Sequence, residues 1–131
     1  MDAATSQFIR QRAGDRCEYC HLSQNFSALR FHIEHIIARQ HGGPDTPENL
    51  ALACPECNFH KGTNLSSIDP DTGKPSQLFN PRKDIWDEHF LHDEADIRGK
   101  TAIGRTTAWL LDMNSPERLR LRTVLQRLGL F

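Results

Sequence analysis

Apolar Leu29, Phe31 and Ile33 alternate with Arg30, His32 and Glu34, the period of a strand with one buried face. This pattern predicts a strand that ends at about His35. A second apolar run, Asn49 to Ala53, predicts another short strand, and the Gly- and Pro-rich stretch Gln40–Pro47 between them predicts a loop. Pro55 and Gly62 bracket a short helix, one in its first turn and the other just past its end. The centre of the chain therefore reads strand, loop, strand, helix. Upstream, Thr5 is placed to cap a helix with Phe8, Ile9 and Ala13 on its apolar face and Gly14 at its end.

Downstream, Asp69 to Gly73 reads as a turn, Phe79–Trp86 as a loop or short helix, and Phe90–Gly99 as a hairpin or extended pair. Thr101–Met113 reads as a helix despite Gly104. Ser115 and Pro116 open a last helix, with Leu119, Leu121, Val124, Leu125 and Leu128 as its buried side. On that reading Arg118, Arg120, Arg122 and Arg127 form a solvated face, and Trp86 and Trp109 are core. The expected class is α+β: one domain over 1–131, with a core at about 17–64 and an extension over 65–131 packed on it.

Composition narrows the partners. The 131 residues carry a formal net charge of −1, which excludes a protein that coats nucleic acid by bulk electrostatics but leaves room for a local basic patch. No apolar run is long enough for a membrane helix. Met1–Arg12 has no apolar core like that of a signal peptide, so the cytoplasm is the expected compartment. The four cysteines, Cys17, Cys20, Cys54 and Cys57, form two Cys-x2-Cys pairs. In a reducing compartment this spacing points to a closed, structural Zn²⁺ site rather than to disulfides.

The chemistry concentrates in Glu34-His35-Ile36, Gly42-Gly43, Glu48-Asn49-Leu50 and Cys54-x2-Cys57-Asn58-x2-Lys61-Gly62. An imidazole titrates near neutrality, so His35 is suited to take a proton from water. Glu34 offers an anionic oxygen and Asn58 a neutral one, a pair suited to Mg²⁺ or Mn²⁺.

From Cys17 to Gly62 these motifs closely resemble the HNH endonuclease family, with its ββα-metal fold. The resemblance implies that His35 is the general base and that Asn49 tethers the loop and orients that base. It also implies Glu34 as the acidic metal ligand and Asn58 as the second, where many members carry a histidine. Glu34 departs from the aspartate of much of the family, so its carboxylate reaches one methylene further. His60 competes with Asn58, but residues two apart on a helix point about 200° apart, so the two do not share one ion.

His32 shares a strand face with Glu34 and is a candidate for the metal water or a phosphate. His21 and His41 read as surface residues, and His89 and His92 carry no motif. Lys61 and then Arg39 are the leading candidates for phosphate contact, ahead of Arg30, Arg82 and Lys83. The expected function is a metal-dependent DNA endonuclease that grips mainly the backbone, with products carrying 5′-phosphate and 3′-hydroxyl ends by family resemblance. The rival expectation is a zinc-stapled module that binds nucleic acid or protein without cutting.

Overall fold

The computed structural model describes residues 1–131. Its elements are α1 (Ala3–Arg12), β1 (His32–His35), β2 (Leu50–Ala53), α2 (Pro55–Lys61), β3 (Ser66–Ile68) and β4 (Pro75–Gln77), followed by α3 (Trp86–His89), β5 (Phe90–Asp93), β6 (Asp96–Gly99), α4 (Ala102–Leu110) and α5 (Pro116–Arg127). The strands form three separate antiparallel pairs, β1–β2, β3–β4 and β5–β6, in an α+β arrangement. No helix is long and apolar enough to cross a membrane.

The β1–β2 register sets His32 opposite Ala53 and His35 opposite Leu50. The strand β1 is shorter than the alternation predicts, because Leu29 lies exposed in the loop before it. The knuckle of Cys17 and Cys20 lies along β2: the Glu18 N–H donates to Leu52 O at 2.9 Å, and the Glu18 carboxylate accepts from Leu52 N at 2.8 Å. Arginines of α1 stitch that helix to the sheet, Arg10 donating to Phe31 O and Arg12 to Pro47 O and Leu50 O. The α1 cap is Asp2, not Thr5: Asp2 accepts from Thr5 N at 2.7 Å, and the helix begins one turn earlier than expected. A carboxylate at that position also complements the helix dipole.

One hydrophobic core joins both halves of the chain. Ile9, Tyr19, Phe31, Leu50 and Leu52 pack in the same cluster as Phe79, Phe90, Ile97, Leu111 and Met113. The turn at Asp69–Gly73 closes the β3–β4 hairpin. Gly104 is tolerated in α4 because a Cβ there would lie 1.9 Å from His89 O and 3.1 Å from Gly99 Cα, so only glycine lets α4 approach the end of α3 and β6.

Two expectations fail in the C-terminal half. Trp109 is 69% exposed rather than core, while Trp86 is half-buried, stacks on Phe90 and donates to Tyr19 O at 2.8 Å. In α5 the inward face carries Arg118, Arg122 and Leu125, whereas Leu121, Val124 and Leu128 are exposed. The two arginines go inside because fixed acceptors await them. Arg122 donates to Ala95 O, Met113 O and Asn114 Oδ1, so its guanidinium is hydrogen-bonded although only 3% of the residue is exposed.

Candidate active site and metal centre

The four cysteines are buried and free, and their sulfur atoms lie within 4.8 Å of one another. Two come from the knuckle beside β2. Two come from the start of α2, where Cys54 is the cap residue and its Sγ accepts from Cys57 N at 3.4 Å. Pro55 occupies the first turn and Gly62 follows the helix end, as the sequence predicts. Without a cation, burial pushes the Cys17 and Cys57 thiols well above their ordinary value, while hydrogen bonds from the neighbouring sulfurs hold Cys20 well below it. Four thiolates in such an interior need a divalent cation to hold them, and four soft sulfurs in a closed cluster fit the donor set of a tetrahedral metal.

Apart from the cysteine cluster, β1 and the later part of α2 open onto a cleft of about 710 Å³. His32, Glu34, His35, Arg39, Asn58 and Thr63 line it. The fold thus brings Glu34, His35 and Asn58, separated by up to 24 positions in sequence, to one cavity. His60 does not line it; its Nε2 lies 4.0 Å from Asp112 on the other side of α2.

Glu34 is buried, only 6% exposed. Tyr19 Oη donates to Glu34 Oε1, and Lys61 Nζ sits 3.4 Å from Oε2. Burial pushes the Glu34 carboxyl above its ordinary value, while Lys61 and Tyr19 pull it back toward ionisation. Each carboxylate oxygen has about two lone pairs, so one engaged partner on each leaves capacity for a cation.

Lys61 corrects an expectation. It is 2% exposed, and its ammonium donates to Ile36 O at 3.0 Å and His35 O at 3.5 Å as well as facing Glu34. A side chain held inside in this way does not reach a phosphate. Its work is to anchor the backbone of the β1 end and to balance a buried carboxylate. Arg39 differs, with its side chain 65% exposed at the cleft and only its Nε bonded, to Asp45 at 3.0 Å. Arg82 is drawn into a salt bridge with Glu18, which the sequence pattern did not reveal.

Asn49 is buried and clamps the loop between the strands. Its Oδ1 accepts from Ile37 N, and its Nδ2 donates to Ile37 O and Pro44 O, each at 2.9 Å. Gly43 lies under the same clamp: a Cβ there would stand 1.7 Å from Ile37 O, so the loop closes only on glycine. The clamp brings Asp45 to His35, with its Oδ1 2.6 Å from His35 Nε2. Hydrogen bonds from His35 and then Arg39 hold the Asp45 carboxyl below its ordinary value. The sequence reading missed Asp45. Nothing in its spacing marks it, because only loop closure brings it to His35.

His32 is exposed at the cleft and His41 is exposed. His21 is not a free surface residue: its ring stacks on Trp86 with centroids 4.2 Å apart, and burial lowers its pKa.

Residues 17–64 match the model of the family described as HNH endonuclease. The chain is 26% identical over 118 residues to the Septu protein PtuB of Bacillus thuringiensis. That match covers 85% of this chain but 41% of the relative, so the chain spans about two-fifths of that protein's length. No solved structure matches.

Proposed function

We propose that the HNH endonuclease domain formed by residues 17–64 hydrolyses DNA phosphodiester bonds, with His35 as general base. The observation that carries this reading is the shared cleft of Glu34, His35 and Asn58. The carboxylate of Asp45 at Nε2 favours the tautomer with a proton there, which leaves Nδ1 free to take a proton from water. Asn49 holds the loop that presents Asp45 and so keeps the imidazole aimed. Glu34 and Asn58 would hold one Mg²⁺ or Mn²⁺, because both offer hard oxygens at the cleft wall. When bound, such an ion neutralises charge on the phosphoryl and leaving oxygens. Arg39, exposed at the rim, is placed to meet a backbone phosphate.

The four cysteines hold a structural Zn²⁺ that pins the knuckle to the start of α2, and residues 1–131 act as one unit around it. With a net charge near zero, contacts are to the DNA backbone at this cleft and weaken steeply with salt.

The test is supercoiled plasmid incubated with Mg²⁺, with Mn²⁺ and with chelator. The intact protein is expected to nick or cut only with a divalent ion. His35→Ala is expected to keep its fold and its zinc while losing about 10²–10⁴-fold in rate, the usual contribution of a general base. Unchanged metal-dependent cleavage by that variant would reject the assignment, and the absence of any cleavage by the intact protein would favour a module that binds without cutting.

A further inference from the structure

The sulfur cluster has a fifth neighbour, from the far end of the chain. Arg118 Nη2 lies 3.0 Å from Cys57 Sγ and 3.8 Å from Cys54 Sγ. The other arm of the same guanidinium, Nη1, donates to Leu111 O at 2.8 Å and Asp112 O at 3.1 Å, the carbonyls that end α4. Arg118 thus bridges three things at once: the start of α5, the end of α4 and the thiolates at the start of α2. One turn on, Arg122 ties α5 to Met113 and to the β5–β6 turn at Ala95.

Charge gives this bridge its energy. Four thiolates around a divalent zinc leave two net negative charges in a buried place, which is costly unless opposed. The fork of a guanidinium can donate to sulfur while its second arm stays on carbonyls, a division an ammonium cannot copy. Outer partners of this kind orient metal ligands and tune their affinity.

We infer that Arg118 is the outer partner of the cysteine-bound zinc and that it latches α4 and α5 to the metal, so that losing zinc loosens the C-terminal layer as well as the knuckles. The inference rests on the reading of the cysteines as a zinc site. The coupling reaches about sixty residues along the sequence from Cys57 to Arg118. The extension would then be part of the metal centre, not a separate layer resting on the nuclease core.

Three measurements on the full chain test it. The zinc content of the purified protein is measured first: less than about one equivalent would overturn both the zinc reading and the latch. Next, zinc transfer to a colorimetric chelator is timed for the wild type, Arg118→Lys and Arg118→Met. The methionine variant is expected to hold zinc about 10–100-fold more weakly and so to release it correspondingly faster, with the lysine variant between. In cobalt-substituted protein, loss of the N–H···S bond is expected to move the thiolate-to-metal charge-transfer band to lower energy, a shift that a mere cap on α4 would not produce. Wild-type release rates and an unmoved band in a folded Arg118→Met protein would overturn the latch while leaving the zinc site standing. If that variant does not fold, hydrogen exchange on the wild type decides. Stripping zinc is expected to deprotect α5 together with the knuckles, and α5 amides that stay protected would refute the inference.

Discussion

Replacing Lys61 with methionine keeps the aliphatic stem and removes the ammonium. The structure sets the cost. Glu34, 6% exposed, is left with Tyr19 as its only partner, and Ile36 O loses a donor at 3.0 Å. Breaking a buried ion pair from one side typically costs about 3–5 kcal/mol, because the surviving charge has no compensation. That is a large share of the roughly 5–15 kcal/mol that holds a domain of this kind together.

The loss should depend on pH. Burial already raises the Glu34 carboxyl, and removing Lys61 raises it further. A carboxyl with a folded-state pKa above its unfolded value binds protons more tightly when folded. Its contribution is therefore fully present below the unfolded pKa, about 4.3, and is lost as pH rises through the folded pKa. Lys61→Met should come closest to the wild type near about pH 4 and fall behind it toward neutrality. Adding Glu34→Gln should recover part of the deficit, since a neutral amide does not need the ammonium. Urea unfolding from about pH 4 to about pH 8 measures all of this through the midpoint, with the slope as a check on two-state behaviour. A methionine variant as stable as the wild type at every pH would refute the buried-pair argument. So would a variant of unchanged stability whose DNA affinity loses about one unit of salt dependence, the mark of a phosphate contact.

Two further outcomes are expected. Asn49→Ala removes three hydrogen bonds to Ile37 and Pro44 and should cost about 2–4 kcal/mol, at about 1 kcal/mol each. Asn49→Asp should cleave no better than the alanine variant, because its carboxylate still accepts from Ile37 N but repels the two carbonyls; a cleavage rate near wild type for the aspartate variant would contradict the clamp. Asp69 accepts from both Arg105 Nε and Arg105 Nη2, which holds its carboxyl at about 2. Its folded pKa is depressed, so its contribution is present above the unfolded value near 3.9 and is lost as pH falls toward about 2. Asp69→Asn should be less stable at neutral pH and should flatten acid unfolding over that window, as followed by circular dichroism; an acid limb with wild-type steepness would count against the pair.

The centre of this protein was legible because its chemistry is local in sequence. The two Cys-x2-Cys pairs, the Pro55–Gly62 helix and the Glu34-His35 step each depend on spacing within a single element, and periodicity or ligand geometry fixes such spacing. What lay beyond sequence reasoning was which long polar side chains turn inward. Lys61 reads as a phosphate contact, and Arg118 and Arg122 as part of a solvated face. They turn inward, Lys61 and Arg122 fully and Arg118 in part, because Glu34, the end of α4, Met113 and the cysteine cluster place acceptors at the ends of their stems. The same holds in reverse for Trp109, Leu121 and Leu128, apolar by composition yet exposed, since α4 and α5 spend their inward faces elsewhere. Asp45 reaches His35 only when the Asn49 clamp closes its loop. Periodicity determines which element forms, but the partner of a buried charge comes from another element. That pairing exists only once the elements have packed, so only the tertiary structure decides it.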